Sequence, residues 1–171
     1  MVSIMRKWWG PIVGRGRIWL RGAWLAVAVP LVAAAAPGAS PAGQWLTEDN
    51  SGVVEIFRCA SEDAWCGRLA WFRVDPGDPN PQGLDLRNPD PARRDRSLCG
   101  MTFMSGFRPA GPDSWDDGFV YNPDNGKTYH ATMALQPDGR LRLRGYIGVP
   151  LLGESQVWTR FTRAVPSCPG R

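Results

Sequence analysis

One histidine, His130, stands in 171 residues. The chain has no Cys-x-x-Cys, no His-Glu-x-x-His, no Gly-x-Ser-x-Gly elbow, no Walker-type glycine loop and no Gly-x-Gly-x-x-Gly. These absences remove the common zinc ligand sets, the histidine-activated nucleophiles and the phosphate cradles. Acids are plentiful, but Asp113, Asp116, Asp117, Asp124 and Asp138 all stand in turn-type sequence, where Asp bonds its own backbone. No pair of carboxylates is marked for acid and base roles. The chain therefore reads as a non-enzyme that uses no metal and no cofactor.

A second absence concerns charge. Residues 1–42 contain Arg6, Lys7, Arg15, Arg17 and Arg21 and no acid. Removing those five from the 20 cationic residues leaves 15 against all 16 acids, net −1, for residues 43–171. The overall +4 thus belongs to the N-terminal segment, and a nucleic-acid-binding domain, which needs a clustered cationic face, is excluded. The same segment continues into the apolar run Ala23–Ala36 and the small, proline-rich Pro37–Gly43. This is the pattern of a secretory signal peptide with a short linker over 1–42, and it predicts a periplasmic or secreted protein. Ile18–Ala36 is nearly long enough to span a bilayer, so membrane attachment is expected only if the segment is retained.

Export makes disulfides the expected state of Cys59, Cys66, Cys99 and Cys168. Cys59 and Cys66 flank a polar segment between two strand-like runs, which suits a bridge at a hairpin mouth. Cys99 is left for Cys168, tying the C-terminal tail to the body.

No window of 11 or more residues sustains an apolar period of 3.6, so helices are not predicted. Short strand-type blocks recur instead, at 43–47, 53–59, 64–73, 98–108, 118–122, 127–136, 141–147 and 156–163. Asp124-Asn125-Gly126 and Pro137-Asp138-Gly139 sit between alternating runs, as tight hairpins require. Seven or eight successive antiparallel strands must close or stack to hide their edges. The fold predicted is all-β, a single small antiparallel barrel of about eight strands over 43–171, with a two-sheet sandwich as the competing arrangement. One segment breaks the pattern. Residues 74–97 hold five prolines between Pro76 and Pro91 and four arginines among several aspartates. A loop this long inside a compact domain is the first place to look for a partner surface. Asp85, Asn88 and Asp90 are its candidate contacts, with Phe72 or Leu84 as an apolar anchor.

Several blocks together resemble a known family. Gly43-Gln44-Trp45-Leu46-Thr47, Cys66-Gly67-Arg68-Leu69-x-Trp71, Asp85-Leu86-Arg87-Asn88-Pro89-Asp90, Leu98-Cys99-Gly100, Tyr121-Asn122-Pro123 with Gly126-Lys127-Thr128-Tyr129, Leu143-Arg144-Gly145-Tyr146-Ile147-Gly148 and Trp158-Thr159-Arg160 are similar to the motifs of DUF2147, a family of uncharacterised exported bacterial proteins. The resemblance runs through essentially the whole domain. It implies a periplasmic barrel similar to lipocalins and brings no catalytic residues with it. Lipocalins open with Gly-x-Trp, whose indole closes the barrel floor under a late-strand arginine. The likeness therefore assigns Trp45 and Arg160 a structural role.

A barrel of this size is either filled by side chains or holds one small ligand. Fourteen aromatics lie in residues 43–171. A hollow interior lined by Trp71, Tyr121, Tyr129 and Tyr146, with Lys127 and Arg144 for an anionic head group, would bind a small apolar or amphipathic molecule. It predicts an apolar cavity of at least roughly 300 Å³. The alternative is a non-catalytic interaction module that presents the 74–97 loop to an envelope protein or cell-wall partner.

Overall fold

In this computed structural model, residues 40–60 and 63–168 are described. The segment expected to direct export lies almost wholly outside them. Each strand follows from a local alternation ended by turn chemistry. At Gly126 (φ 70°) and Gly139 (φ 80°) the backbone enters the left-handed region that glycine adopts without a Cβ penalty. Each closes a hairpin, Gly126 N–H donating to Asn122 O at 2.8 Å and Gly139 N–H to Gln136 O at 2.9 Å.

Eight strands result: β1 (Gly43–Leu46), β2 (Gly52–Arg58), β3 (Trp65–Phe72), β4 (Thr102–Gly111), β5 (Ser114–Asn122), β6 (Lys127–Leu135), β7 (Leu141–Tyr146) and β8 (Gly153–Arg160). They form a closed antiparallel barrel in sequence order, shut where Trp45 pairs with Arg160 and Leu46 with Thr159. Closure leaves no sheet edge open, which removes the sandwich alternative. Up-and-down order places the β2–β3, β4–β5 and β6–β7 turns at one rim, the floor, beside the start of β1. The β1–β2, β5–β6 and β7–β8 turns and the long β3–β4 connection lie at the other, the mouth.

Three strands differ from expectation by more than one residue. β4 begins at Thr102 because Leu98 and Met101 form a turn that buries both side chains. β5 starts at Ser114, so Asp116 and Asp117 lie within a strand rather than a turn; a register shift between Trp115 and Gly118 absorbs Asp117 at φ 60°. β8 runs from Gly153 to Arg160, the residue at which its partner β1 can last pair, and Phe161 departs after donating to Gln44 O at 2.9 Å. The cysteines join as Cys59–Cys66 and Cys99–Cys168, with Cα separations of 5.2 and 6.3 Å.

The barrel interior is packed with side chains. Trp45, Trp158, Phe107, Met104, Met133 and Leu141 are among its fully buried residues. Two glycines show how tightly: a Cβ on Gly67 would lie 2.7 Å from Met104 Sδ, and one on Gly118 would lie 2.3 Å from the Phe107 ring. Large side chains occupy the volume that these glycines leave vacant. The expected hollow core is therefore corrected. Close packing of this kind is what makes a small barrel rigid.

Candidate functional site

The floor is closed by Trp45. Its indole is fully buried, donates from Nε1 to Pro41 O at 2.9 Å, and carries the Arg160 guanidinium 4.0 Å above the ring. Arg160 also donates to Ala42 O. Gly43, at φ 116°, is what lets the guanidinium in, because a Cβ there would stand 2.7 Å from Arg160 Nη1. Such a stack contributes about 0.5–2 kcal/mol.

The mouth is covered by the 74–97 loop, which is an ordered lid. Gly83 lies flat on the Phe72 ring, where a Cβ would come within 2.1 Å, and Leu84 bridges to Ser97. Phe72 is a core residue, not an exposed anchor. At the centre of the lid is Asp85, a carboxylate with no exposed surface. It accepts from the Tyr121 hydroxyl at 2.6 Å, from Asn88 Nδ2 at 2.7 Å and from Arg96 Nη2 at 2.8 Å. Asn88 is buried, and its Oδ1 accepts from Asp90 N–H at 2.9 Å. Asp90 faces solvent and caps the short 3₁₀ turn Pro91–Arg93 by accepting from Ala92 N–H at 3.0 Å. Two of the three loop candidates, Asp85 and Asn88, are thus turned inward, because a proline-stiffened loop of this length satisfies its own polar groups when it folds over an apolar mouth. Burial, and then the Asp85 carboxylate, hold the Tyr121 phenol above its usual pKa near 10.0.

The six side chains expected to line an interior are dispersed. Tyr121 bonds to the lid. Tyr129 sits half-buried at the mouth and its hydroxyl accepts from Asn125 Nδ2 at 2.8 Å, with Lys127 exposed beside it. Arg144 and Tyr146 are on the outer wall, since Leu141 and Leu143 take the inward positions of β7. Arg144 donates to Pro150 O at 2.7 Å, Leu151 O at 3.2 Å and Ser155 Oγ at 3.1 Å. Tyr146 stacks on His130 at 5.7 Å, and Phe119 packs on the other side of that imidazole at 4.9 Å. His130 is exposed between these rings. Among the described residues no group of three or more His, Cys, Asp or Glu converges on a metal-sized site.

Trp71 faces outward as well, and there it meets the C-terminal tail. A bulge between Val53 and Val54 shifts the β2–β3 register and aligns Trp71 with Val53. The tail crosses this wall, making a cleft of about 330 Å³ bounded by Leu46, Asn50, Trp71, Phe161, Arg163, Ala164 and Pro166. The Arg163 guanidinium lies 5.5 Å from the Phe161 ring. A second opening, about 570 Å³, lies around the Cys99–Cys168 bridge, between Arg68–Ala70 and Ser167. Sequence reading missed both, because each exists only where a disulfide lays the tail over distant strands.

The model of a family described as "Uncharacterized protein conserved in bacteria (DUF2147)" matches residues 43–160, from the first strand to the last. The chain belongs to the DUF2147 family. Among solved structures, this DUF2147 barrel is similar to the protein HP1028 of the human pathogen Helicobacter pylori, described as belonging to the lipocalin family. The TM-score is 0.62 at 26% identity, covering 72% of this chain and 84% of that one. No curated protein matches the chain. The fold is lipocalin-like, with the Trp45–Arg160 stack at its floor.

Proposed function

We propose that this DUF2147 protein is an exported, non-catalytic binding protein for a small apolar or amphipathic molecule, and that the molecule sits on the outer wall rather than in the barrel. The observation that carries the reading is the cleft under the tail. Its volume, about 330 Å³, reaches the lower end of the range for small-molecule sites. Trp71 and Phe161 offer apolar faces, and Arg163 places a cation at the lip for an anionic head group. Export is supported by the N-terminal pattern and by the two disulfides.

Native mass spectrometry of the protein taken from its own cell envelope tests the reading directly, since a carrier brings a bound mass with it. Titration with laurate, followed by tryptophan fluorescence, locates the site. Trp71→Ala and Arg163→Ala are expected to weaken binding, while Trp158→Phe in the packed core leaves it unchanged. Equal binding by all three variants would move the site elsewhere.

The second reading, an interaction module for an envelope partner, is favoured by what the lid leaves outside. Leu86 is 48% exposed, and Arg87, Asp90 and Arg93 also face solvent. Leu86→Ser and Arg87→Ser test it without uncovering the mouth, which deletion of the loop would do.

A further inference from the structure

The two disulfides of this barrel are supported in different ways. Cys59 and Cys66 are set face to face by the β2–β3 hairpin: Cys59 N–H donates to Ala64 O at 2.9 Å, and Cys66 pairs with Phe57 in the ladder. Reduced, that pair stays together, because the strands and not the bridge bring the sulfurs close. Cys168 has no such support. It ends a strap, residues 161–168, whose last backbone bond to the barrel is Phe161 N–H to Gln44 O. Among the described residues, nothing from Thr162 to Ser167 makes a hydrogen bond. Thr162, Arg163, Ala164, Pro166 and Ser167 are exposed, and the other three are half-buried. The cleft beside Trp71 lies under this strap, so packing does not replace the missing bonds. With the Cys99–Cys168 bridge open, the strap keeps only its first anchor, and the local concentration of one sulfur at the other falls.

The bridge is also within reach. An opening of about 570 Å³ is bounded by Cys99, Cys168, Ser167 and the Arg68–Ala70 stretch of β3. Cys168 is half-buried there, whereas Cys99 is only 7% exposed. A thiol entering from solvent therefore meets the Cys168 sulfur first. Arg68 at the rim is paired with Glu55 at 2.8 Å, so access rather than net charge distinguishes the place.

We infer that the Cys99–Cys168 bridge is a thiol-exchange site, the latch through which a dithiol reductant frees the C-terminal strap. A thiolate of the reductant attacks Cys168 Sγ and forms a mixed disulfide. The bond to Cys99 breaks with its electron pair on Cys99 Sγ, which takes a proton from water. The second thiol of the reductant, deprotonated, then displaces Cys168 Sγ, which is protonated in turn. Two electrons have passed: the reductant ends as a disulfide, and Cys99 and Cys168 end as thiols. Because Phe161, Arg163, Ala164 and Pro166 form one side of the tail cleft, release of the strap dismantles it. Discharge of a carried molecule follows, and that step alone rests on the function proposed above.

The test exposes the oxidised protein from its own cell envelope, without denaturant, to graded dithiothreitol, then blocks thiols with N-ethylmaleimide and maps the peptides. Cys99 and Cys168 are expected to be blocked at reductant concentrations about tenfold or more below those that open Cys59–Cys66. In the selectively reduced protein trypsin should cut after Arg163 about tenfold faster, while the near-ultraviolet circular dichroism of the packed tryptophans stays native. Cys59→Ala with Cys66→Ala leaves one bridge, and the same cleavage should still follow the reductant. Opening of both bridges together, opening of Cys59–Cys66 first, or an unchanged cut at Arg163 would overturn the inference. Laurate titration separates the two readings. Exchange and strap release with undiminished laurate affinity would overturn the cleft as the carrier's site and leave the latch standing.

Discussion

Tyr121 gives its hydroxyl hydrogen bond to Asp85 at 2.6 Å, joining the lid to the fifth strand across 36 residues of sequence. The carboxylate it meets is completely buried and shared with Asn88 and Arg96. Asn88 and Arg96 belong to the Pro-rich segment itself, so of the three donors Tyr121 is the one that ties the lid to the barrel through this carboxylate.

Replacing that carboxylate should loosen the lid before it affects the barrel. Asp85→Ala leaves three donors without their acceptor and is expected to cost about 2–3 kcal/mol, with Tyr121→Phe costing about 1.5 kcal/mol. Urea unfolding measures both. Limited proteolysis within residues 74–97 should accelerate more for Asp85→Ala than for Tyr121→Phe, and equal rates would place the lid's restraint elsewhere.

The same pair makes stability sensitive to alkali. The Tyr121 phenol titrates above its usual value in the folded protein, so between the unfolded and folded values the native state keeps a proton that the unfolded chain loses. Stability from this group is complete below pH about 10 and falls as pH rises beyond it. Unfolding midpoints compared at pH 8 and pH 11 should drop less for Tyr121→Phe than for the parent protein.

Two turn glycines with similar backbone angles should respond differently to the same change. A Cβ on Gly126 would stand 2.1 Å from Arg87 O in the lid, whereas one on Gly139 meets nothing within 4 Å. Gly139→Ala should cost only the left-handed penalty of about 1–2 kcal/mol. Gly126→Ala should cost clearly more in denaturant titration, because the lid must also shift; identical losses would mean that the lid yields freely.

The disulfides divide unequally. In the chain-entropy view, the Cys59–Cys66 bridge, with a separation of 7, is worth about 2 kcal/mol, and Cys99–Cys168, with a separation of 69, about 4 kcal/mol. Removing the second should also release the tail and open the cleft beside Trp71. Equilibrium unfolding of the paired Cys→Ala variants gives the energies, and Trp71 fluorescence reports the tail.

Much of the fold was readable because it is encoded over short distances. Asp124-Asn125-Gly126 and Pro137-Asp138-Gly139 mark their hairpins, and alternation in Leu141–Tyr146 sets the leucines on one face and the arginines on the other without saying which face looks inward. Closure turns the face of Arg144 and Tyr146 outside, so a site built from both of them and an interior lining was never available to one strand. The exposure of Ile147, Val149, Leu151 and Leu152 was not foreseen, because only the closed barrel leaves the β7–β8 turn outside the core.

By itself, then, the sequence determines an all-β chain with closing hairpins and a nearly neutral domain behind a cationic N-terminal segment, because each of these is a local property of neighbouring residues. Whether the barrel is hollow was decided only in three dimensions. Met104 fills the space spared by Gly67, Phe107 that spared by Gly118, and Asp85 finds one of its three donors, Tyr121, on a distant strand. Such volume sharing and charge burial depend on which remote side chains closure brings together, and no short-range pattern records it.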